Sequence, residues 1–369
     1  MQVIVFIDRL RKALSLVSRI VSSKSQLPIL GNVLLSAEKG NLFLTTTNLE
    51  TAITTKIIAA VEKGGKITVP AKQLGELVSL IREEKIKLFI DNNNLVLESK
   101  KTKNSLNTAP ASEFPSIITK QEEANIIIAE NEFKKAIEQI AIATSPDESR
   151  PILGGALFVK KEKALEVAAT DGYRLSVKEI KTSKNQIEKT HIFPIKTLLE
   201  VTRVAAEQEE KEIKISLPAE KNQATFLLEN TEIVTRLIDG EFPNFQKIIP
   251  ASYTTKTVID KEDFLNAVKM AAVFARESAN IVKIKISNRN LVLSANAPQV
   301  GENKDSLDIE QEGEDLEIAF NYRFLLDFLL TVEEERIVLE TTGSLNPGVF
   351  KPEKDTSLLH VIMPVRVQT

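Results

Sequence analysis

The chain contains no cysteine in 369 residues. That excludes a disulfide framework, a thiolate metal site and a cysteine nucleophile, and it fits a reducing, cytoplasmic setting. Histidine is nearly as scarce. His191 and His360 are the only two, and each lies in an apolar, strand-like stretch where a lone imidazole is usually a packing residue. No Gly-x-Ser-x-Gly elbow occurs. "EKGGKIT" at Glu62 lacks the leading glycine of a phosphate loop, since Ala60 stands there. It lies between two strand-like segments, so a hairpin turn is expected. No apolar run reaches the roughly 18 residues that a bilayer crossing needs. The N-terminal "MQVIVFIDRLRKAL" is too short for a signal-peptide core. A soluble protein with no membrane partner follows. A surplus of positive charge is missing too, because the net charge is −3. Any nucleic-acid partner must then be met by positive charge segregated to one surface.

What the sequence does have is repetition. "LPILGNVLL" begins at Leu27 and "RPILGGALF" at Arg150, so the tetrapeptide Pro-Ile-Leu-Gly recurs 123 residues on. "GNLFLTTTNLETAITTKI" from Gly40 matches "KALEVAATDGYRLSVKEI" from Lys163, with Thr47-Asn48 opposite Thr170-Asp171. "KITVPAKQLGELVSLI" from Lys66 matches "THIFPIKTLLEVTRV" from Thr190, and Pro70 and Pro194 each open a helix. Glu113-Phe114-Pro115 then matches Glu241-Phe242-Pro243. A fainter third copy starts at "VIDKEDFLNAVKMAAVFAR" from Val258, with "IAFNYRFLLDFLLTV" from Ile318 as its second helix. The chain therefore divides into three units of about 120 residues, 1–122, 123–251 and 252–369.

Each unit alternates strands with two amphipathic helices. Leu10, Ala13, Leu14 and Val17 share one helical face, as do Phe264, Ala267, Val268 and Ala271. "NLVLES" and "IKLFID" alternate apolar and polar residues, as antiparallel strands with one wet face do. The expected fold class is α+β: three repeated domains, each with two helices packed on antiparallel sheets. Six helices are expected at 8–25, 71–82, 131–145, 195–203, 261–276 and 321–330. Together they carry +7, against −10 for the rest of the chain. Such a helical surface would attract a phosphate backbone that the remainder repels.

"ATDGYRLS" at Ala169 gathers Asp171, Gly172, Tyr173 and Arg174 in one turn. Asp171 could serve as a ligand in a metal-dependent nuclease or phosphodiesterase. Asp-Gly between alternating apolar residues is also a hairpin signal. A third reading is a scaffold that only binds proteins.

Taken together, "LPILGN", "RPILGGALF", "ATDGYRLS", "EFPNFQKIIP" and "HVIMPVRV" resemble the bacterial DNA sliding clamp family, the beta subunits of DNA polymerase III, along the whole chain. The resemblance implies a processivity factor with no catalytic residues, metal or cofactor. It implies a head-to-tail homodimer forming half-ring by half-ring a closed band around duplex DNA, bound without regard to sequence. Helices would line the hole, with Arg19, Lys24, Lys72, Arg82, Lys134, Lys196, Arg203, Lys269 and Arg276 facing it. Few and scattered phosphate contacts, reading no bases, permit sliding.

The resemblance also implies a pocket for a short apolar peptide from the replicative polymerase, the clamp loader and other partners. Its matching positions are Arg150, Ile152, Leu153, Thr170, Gly172, Tyr173, Arg174, Leu175, Pro243, Lys247, Ile248, Val361, Ile362, Met363, Pro364, Val365 and Arg366. Leu153, Leu175, Ile248 and Val361 are expected to floor it, and Arg150, Arg174 and Arg366 to rim it. Burying two or three apolar side chains yields about 1.5–3 kcal/mol each, against an association cost of about 4–15 kcal/mol, so micromolar, exchangeable binding is expected. Leu106, Val273 and Phe274 match positions at the dimer seam. The chain departs from the family in four places: Lys247 replaces a common arginine, Tyr173 a common histidine and Asn104 an apolar residue, and Gln368-Thr369 extend the usual end.

Overall fold

The structure is a computed structural model that describes residues 1–21, 27–117, 123–162, 164–218 and 222–366. The longer helices are α1 (Ile7–Val17), α2 (Ala71–Leu80), α3 (Glu130–Ala141), α4 (Ile195–Glu207), α5 (Lys261–Ala275) and α6 (Tyr322–Thr331). Where side-chain caps occur they follow from the sequence. The Asp260 carboxylate accepts from the Asp263 amide at the start of α5, and Asn321 accepts from the Arg323 amide at the start of α6. Pro70 and Pro194 stand just ahead of the first helical residue, at the ends of their strands, rather than inside the first turn.

The chain packs as two compact units, one of residues 1–130 and 200–237, the other of residues 131–199 and 238–369. Each holds a large antiparallel sheet built to the same plan. In the first unit the order is Ile126–Ala129, Glu212–Ser216, Gln223–Leu227, Thr231–Arg236, Thr51–Ile58, Asn41–Thr47, Asn32–Glu38, Gly65–Pro70. In the second it is Glu310–Gly313, Thr255–Asp260, Arg336–Thr341, Gly348–Pro352, Leu358–Ile362, Arg174–Lys181, Ala164–Thr170, Gly155–Lys160, His191–Pro194. Each sheet thus continues from one sequence repeat into the next. Thr51 pairs with Thr235 in one, and Arg174 with Ile362 in the other. A smaller sheet completes each unit. The first unit's ends on Lys103–Asn107 and the second's on Gly301–Asp308. In the first unit α1 packs on α2, and in the second α5 packs on α6.

The duplicated hairpins match bond for bond. The Asn48 side-chain oxygen accepts from the amides of Glu50 and Thr51, and Asp171 accepts from those of Tyr173 and Arg174. Thr47 and Thr170 each donate to the carbonyl four residues on. The third position is left-handed in both copies, Leu49 at φ 76° and Gly172 at φ 93°. Glycine adopts that conformation freely and leucine does not, which explains why only one copy reads as Asp-Gly.

Three sequence expectations change. The first helix ends at Val17, with a short 3-10 turn at Ser18–Ile20, rather than continuing to 25. The stretch from Ser18 to Ser23 strings together serines and β-branched residues, which are poor helix formers. The "EKGGKIT" turn is not a hairpin, because Ala60–Lys63 and Gly65–Pro70 belong to different sheets. The helices are also almost neutral, with eleven basic and ten acidic residues and a net of +1. Arg19, Arg82 and Arg276 all lie past a helix end, where the helix dipole favours cations. The expected +7 was therefore not a property of the helices themselves.

His360 is fully buried on the strand Leu358–Ile362. Its Nδ1 lies 2.6 Å from Ser176 Oγ, and its ring stacks on Phe328 with centroids 5.3 Å apart. Burial, reinforced by the nearby Arg174 charge, depresses its pKa from 6.5 to about 3. A folded pKa below the unfolded value means that the unfolded chain binds a proton the native state refuses. Stability is therefore full above pH 6.5 and falls as the pH drops toward 3, by about 1.4 kcal/mol per pH unit for one proton. Urea midpoints of the wild-type protein should fall between pH 7 and pH 5, and His360→Gln should flatten that dependence. An unchanged slope would show that His360 is not the responsible group.

Candidate functional site

The pocket positions gather within the second compact unit. The hairpin joining Ala164–Thr170 to Arg174–Lys181 presents Gly172 and Tyr173 at its tip, and Tyr173 is 64% exposed. The chain after Leu358–Ile362 runs alongside it. The Met363 amide donates to the Tyr173 carbonyl at 2.9 Å, and the Val365 amide donates to Ala319 at 2.8 Å. Met363 is left 40% exposed, an adaptable thioether at the surface. The third segment is the linker after Gly240, where Pro243, Lys247 and Ile248 are exposed while Phe245 turns inward. The fourth is the 3-10 turn Pro151–Gly154, with Ile152 and Leu153 half-buried. Gly240 has φ 130°, and a Cβ there would meet the Ile152 side chain at 2.6 Å, so the linker can pass this turn only as glycine.

Alternation along the two paired strands sorts their side chains onto two faces. Leu175, Val177 and Val361 point into an apolar cluster with Leu157, Ala168 and Phe245, with Ile152 and Phe242 packed against it. Ile362 faces the other way, into the core around α5 and α6. This corrects the expected floor. Leu175 and Val361 lie beneath the surface at 1% exposure, and Thr170 is likewise buried. Of the expected apolar positions, Tyr173, Met363 and Ile248 are exposed and Leu153 is partly covered.

The expected rim changes as well. Arg174 is held inside. Its Nε reaches Asp171 at 3.1 Å, its Nη1 reaches Asp327 at 2.5 Å, and its guanidinium lies 4.3 Å from the centre of the Phe324 ring. Arg150 pairs with Asp147 at 2.9 Å at the surface, where such a pair is weak and exchangeable. Hydrogen bonds from Ser149 and then Arg150 hold the Asp147 carboxyl down at about 2. Arg150, Lys247 and Arg366 are exposed and remain as rim cations. Gln368 and Thr369 lie outside the described residues. Asp171 has both oxygens engaged by its own hairpin. Among the described residues no cluster of three or more His, Cys, Asp or Glu side chains could hold a metal.

The expected DNA-facing cations divide into two groups. Lys72, Arg82, Lys134 and Lys269 are exposed and form no ion pair among the described residues. Lys196 and Arg276 are exposed and make long contacts, with Glu148 at 3.8 Å and Glu277 at 3.5 Å. Arg19 is the exception, since its guanidinium bridges Glu200 at 3.2 Å and Glu207. Burial opposes its charge, but these two carboxylates outweigh that and raise its pKa. Arg203 lies 3.9 Å from the same Glu200. Arg19 is thus a strut onto α4 rather than a free phosphate ligand. Lys24 lies outside the described residues.

Family models for the N-terminal, central and C-terminal domains of the DNA polymerase III beta subunit match residues 1–118, 127–244 and 246–366. The beta sliding clamp of Synechococcus elongatus is 30% identical over 371 residues, which cover 98% of each chain. The chain belongs to the bacterial sliding clamp family. Solved sliding clamps share its fold over the full length of both chains, that of Bacillus subtilis at a TM-score of 0.95 and 26% identity, and the beta subunit of Thermotoga maritima at 0.91 and 27%.

Like any clamp made of sheets, this one has edge strands to account for. Lys103–Asn107 is an outer strand, with Leu106 half-buried on it. Gly301–Asp308 is another, and beside it α5 packs with Val273 exposed and Phe274 half-buried. Sequence reasoning missed Glu200, Glu207, Phe324 and Asp327. Each acts through a partner distant in sequence, and no local pattern marks it.

Arg19→Met leaves the buried Glu200 with only the longer Arg203 contact, so it should cost about 2 kcal/mol of stability. Lys72→Met should stay within about 0.5 kcal/mol of wild type. Urea unfolding of both variants decides the matter, and equal midpoints would remove the strut.

Proposed function

We propose that two copies of this chain close head to tail into a ring around duplex DNA and carry replication partners along it. The observation that supports this most is the repetition itself. Three successive units, with boundaries near 122 and 251, run through the whole chain, and the second and third repeat a sheet plan set by the first and second. Two such chains make six units, each turned about 60° from the last, and heterologous contacts of that kind close into a ring. The edges Lys103–Asn107 and Gly301–Asp308 suit the joint, since each leaves backbone donors and acceptors unpaired. Leu106, Val273 and Phe274 would pack beside it.

The function is then topological and needs no catalytic group. Lys72, Arg82, Lys134, Lys196, Arg203, Lys269 and Arg276 would supply the loose, exchangeable phosphate contacts, with Lys24 from outside the described residues. Each phosphate contact contributes a log–log salt slope near −0.9. A ring held by topology outlasts such contacts. The replicative polymerase, the clamp loader and other partners would dock an apolar peptide on Tyr173, Met363, Ile248 and Leu153, with Arg150, Lys247 and Arg366 meeting acidic groups. The cytoplasm, where replication partners meet DNA, is the setting.

The protein should sediment at twice 41.0 kDa. Loaded on circular duplex DNA, it should survive a wash in high salt and be lost once the circle is cut. Equal retention on cut and closed DNA would reject encirclement and leave a scaffold.

Met363→Ala should weaken a labelled clamp-binding peptide about tenfold, the worth of one buried thioether side chain, with the dimer unchanged by sedimentation. Unaltered peptide affinity would place the pocket elsewhere.

A further inference from the structure

We propose that Asp327, on α6, is the positioning residue that fixes Arg174 and, through it, the hairpin tip that carries Tyr173 in the partner pocket. The inference rests on the pocket reading given above.

Phe324, Asp327 and Phe328 fall three and four residues apart, on one face of α6. That face meets alternate residues of the paired strands Arg174–Lys181 and Leu358–Ile362. Arg174 sits against Phe324 and Asp327, while His360, bonded to Ser176, stacks on Phe328. Arg174 is therefore a three-way junction. It ties its own hairpin through Asp171 and a helix 153 residues away through Asp327. The side chain is 11% exposed, so little water competes for these bonds. One residue before it, the Tyr173 carbonyl accepts the Met363 amide. The tip cannot shift without either lifting Arg174 off α6 or breaking that hydrogen bond.

The charge balance points the same way. Arg174 faces two carboxylates, so that corner is net negative and offers nothing to an acidic group on a partner. Arg174 acts as scaffold, and recognition of acid falls to Arg150, Lys247 and Arg366 at the rim.

The test uses the full-length protein and a fluorescein-labelled peptide bearing two leucines and a terminal phenylalanine. Asp327→Asn should weaken binding about tenfold, as expected for the loss of a charge-assisted bond, and Asp327→Glu should recover most of it. Arg174→Met should weaken binding comparably, and the double variant no further than either alone. Exchange of the Met363 amide should quicken in Asp327→Asn. Phe324→Leu, which keeps the helix apolar but removes the ring under the guanidinium, gives a second route should the asparagine variant unfold. Wild-type affinity in Asp327→Asn, with Met363 exchange unchanged, overturns the proposal. A wild-type protein that ignores the peptide overturns the pocket reading instead, and the amide exchange alone then decides whether α6 holds the tip.

Discussion

The architecture depends on one kind of contact, the antiparallel pairing that carries a sheet out of one repeat and into the next. Thr51–Thr235 and Arg174–Ile362 occupy equivalent places in the two large sheets. Backbone hydrogen bonds there join segments more than 180 residues apart in sequence. Because those bonds are made by main chain, the repeats can diverge in side chains without losing the joint. The two compact units therefore fail to coincide with the repeats: each contains such a joint and draws residues from two successive repeats.

Much of this was legible in the sequence because it is local. The Thr-Asn and Thr-Asp hairpins, the apolar helical faces and the alternating strands are written in neighbouring residues, and the repeat offset placed them all. Even the αL position could be read in the second copy from Gly172, though not in the first from Leu49. What could not be read is long-range pairing. Arg19 looked like a free cation because nothing within a few residues neutralises it, and Arg174 because its local partner Asp171 is only one of the two carboxylates that hold it. Glu200, Glu207 and Asp327 do so from far along the chain. The helix charge was misjudged because the true helix ends differ from the expected ones: α1, α2 and α5 stop short of Arg19, Arg82 and Arg276, while α3 and α4 take in Glu130 and Glu207.

The duplication raises a further question: why the proposed partner surface would fall at the second joint and not the first. The backbone offers no distinction. The Arg236 amide donates to the Glu50 carbonyl at 2.9 Å, and the Met363 amide donates to the Tyr173 carbonyl at the same distance. The side chains differ sharply. Where the second joint exposes Tyr173 and Met363, the first exposes Glu50 and Arg236. Beneath them Leu175, Val177 and Ala168 correspond by register to Ala52, Thr54 and Thr45. In the second copy the linker drives Phe245 into that apolar face. In the first, Thr45 and Thr54 bond to each other at 3.0 Å, and a cavity of about 520 Å³ stands over them, lined by Phe43, Phe114, Lys56 and Glu232.

An apolar peptide gains free energy only where it displaces water from apolar surface. At the first joint it would have to strip water from a glutamate, an arginine and a row of hydroxyls without replacing those hydrogen bonds, a penalty that cancels the burial of two or three apolar side chains. The same backbone platform is thus built twice and made sticky once. In the proposed ring, restricting the apolar surface to one joint per chain would leave two partner sites instead of four. Partners sharing that proposed site would then have to take turns.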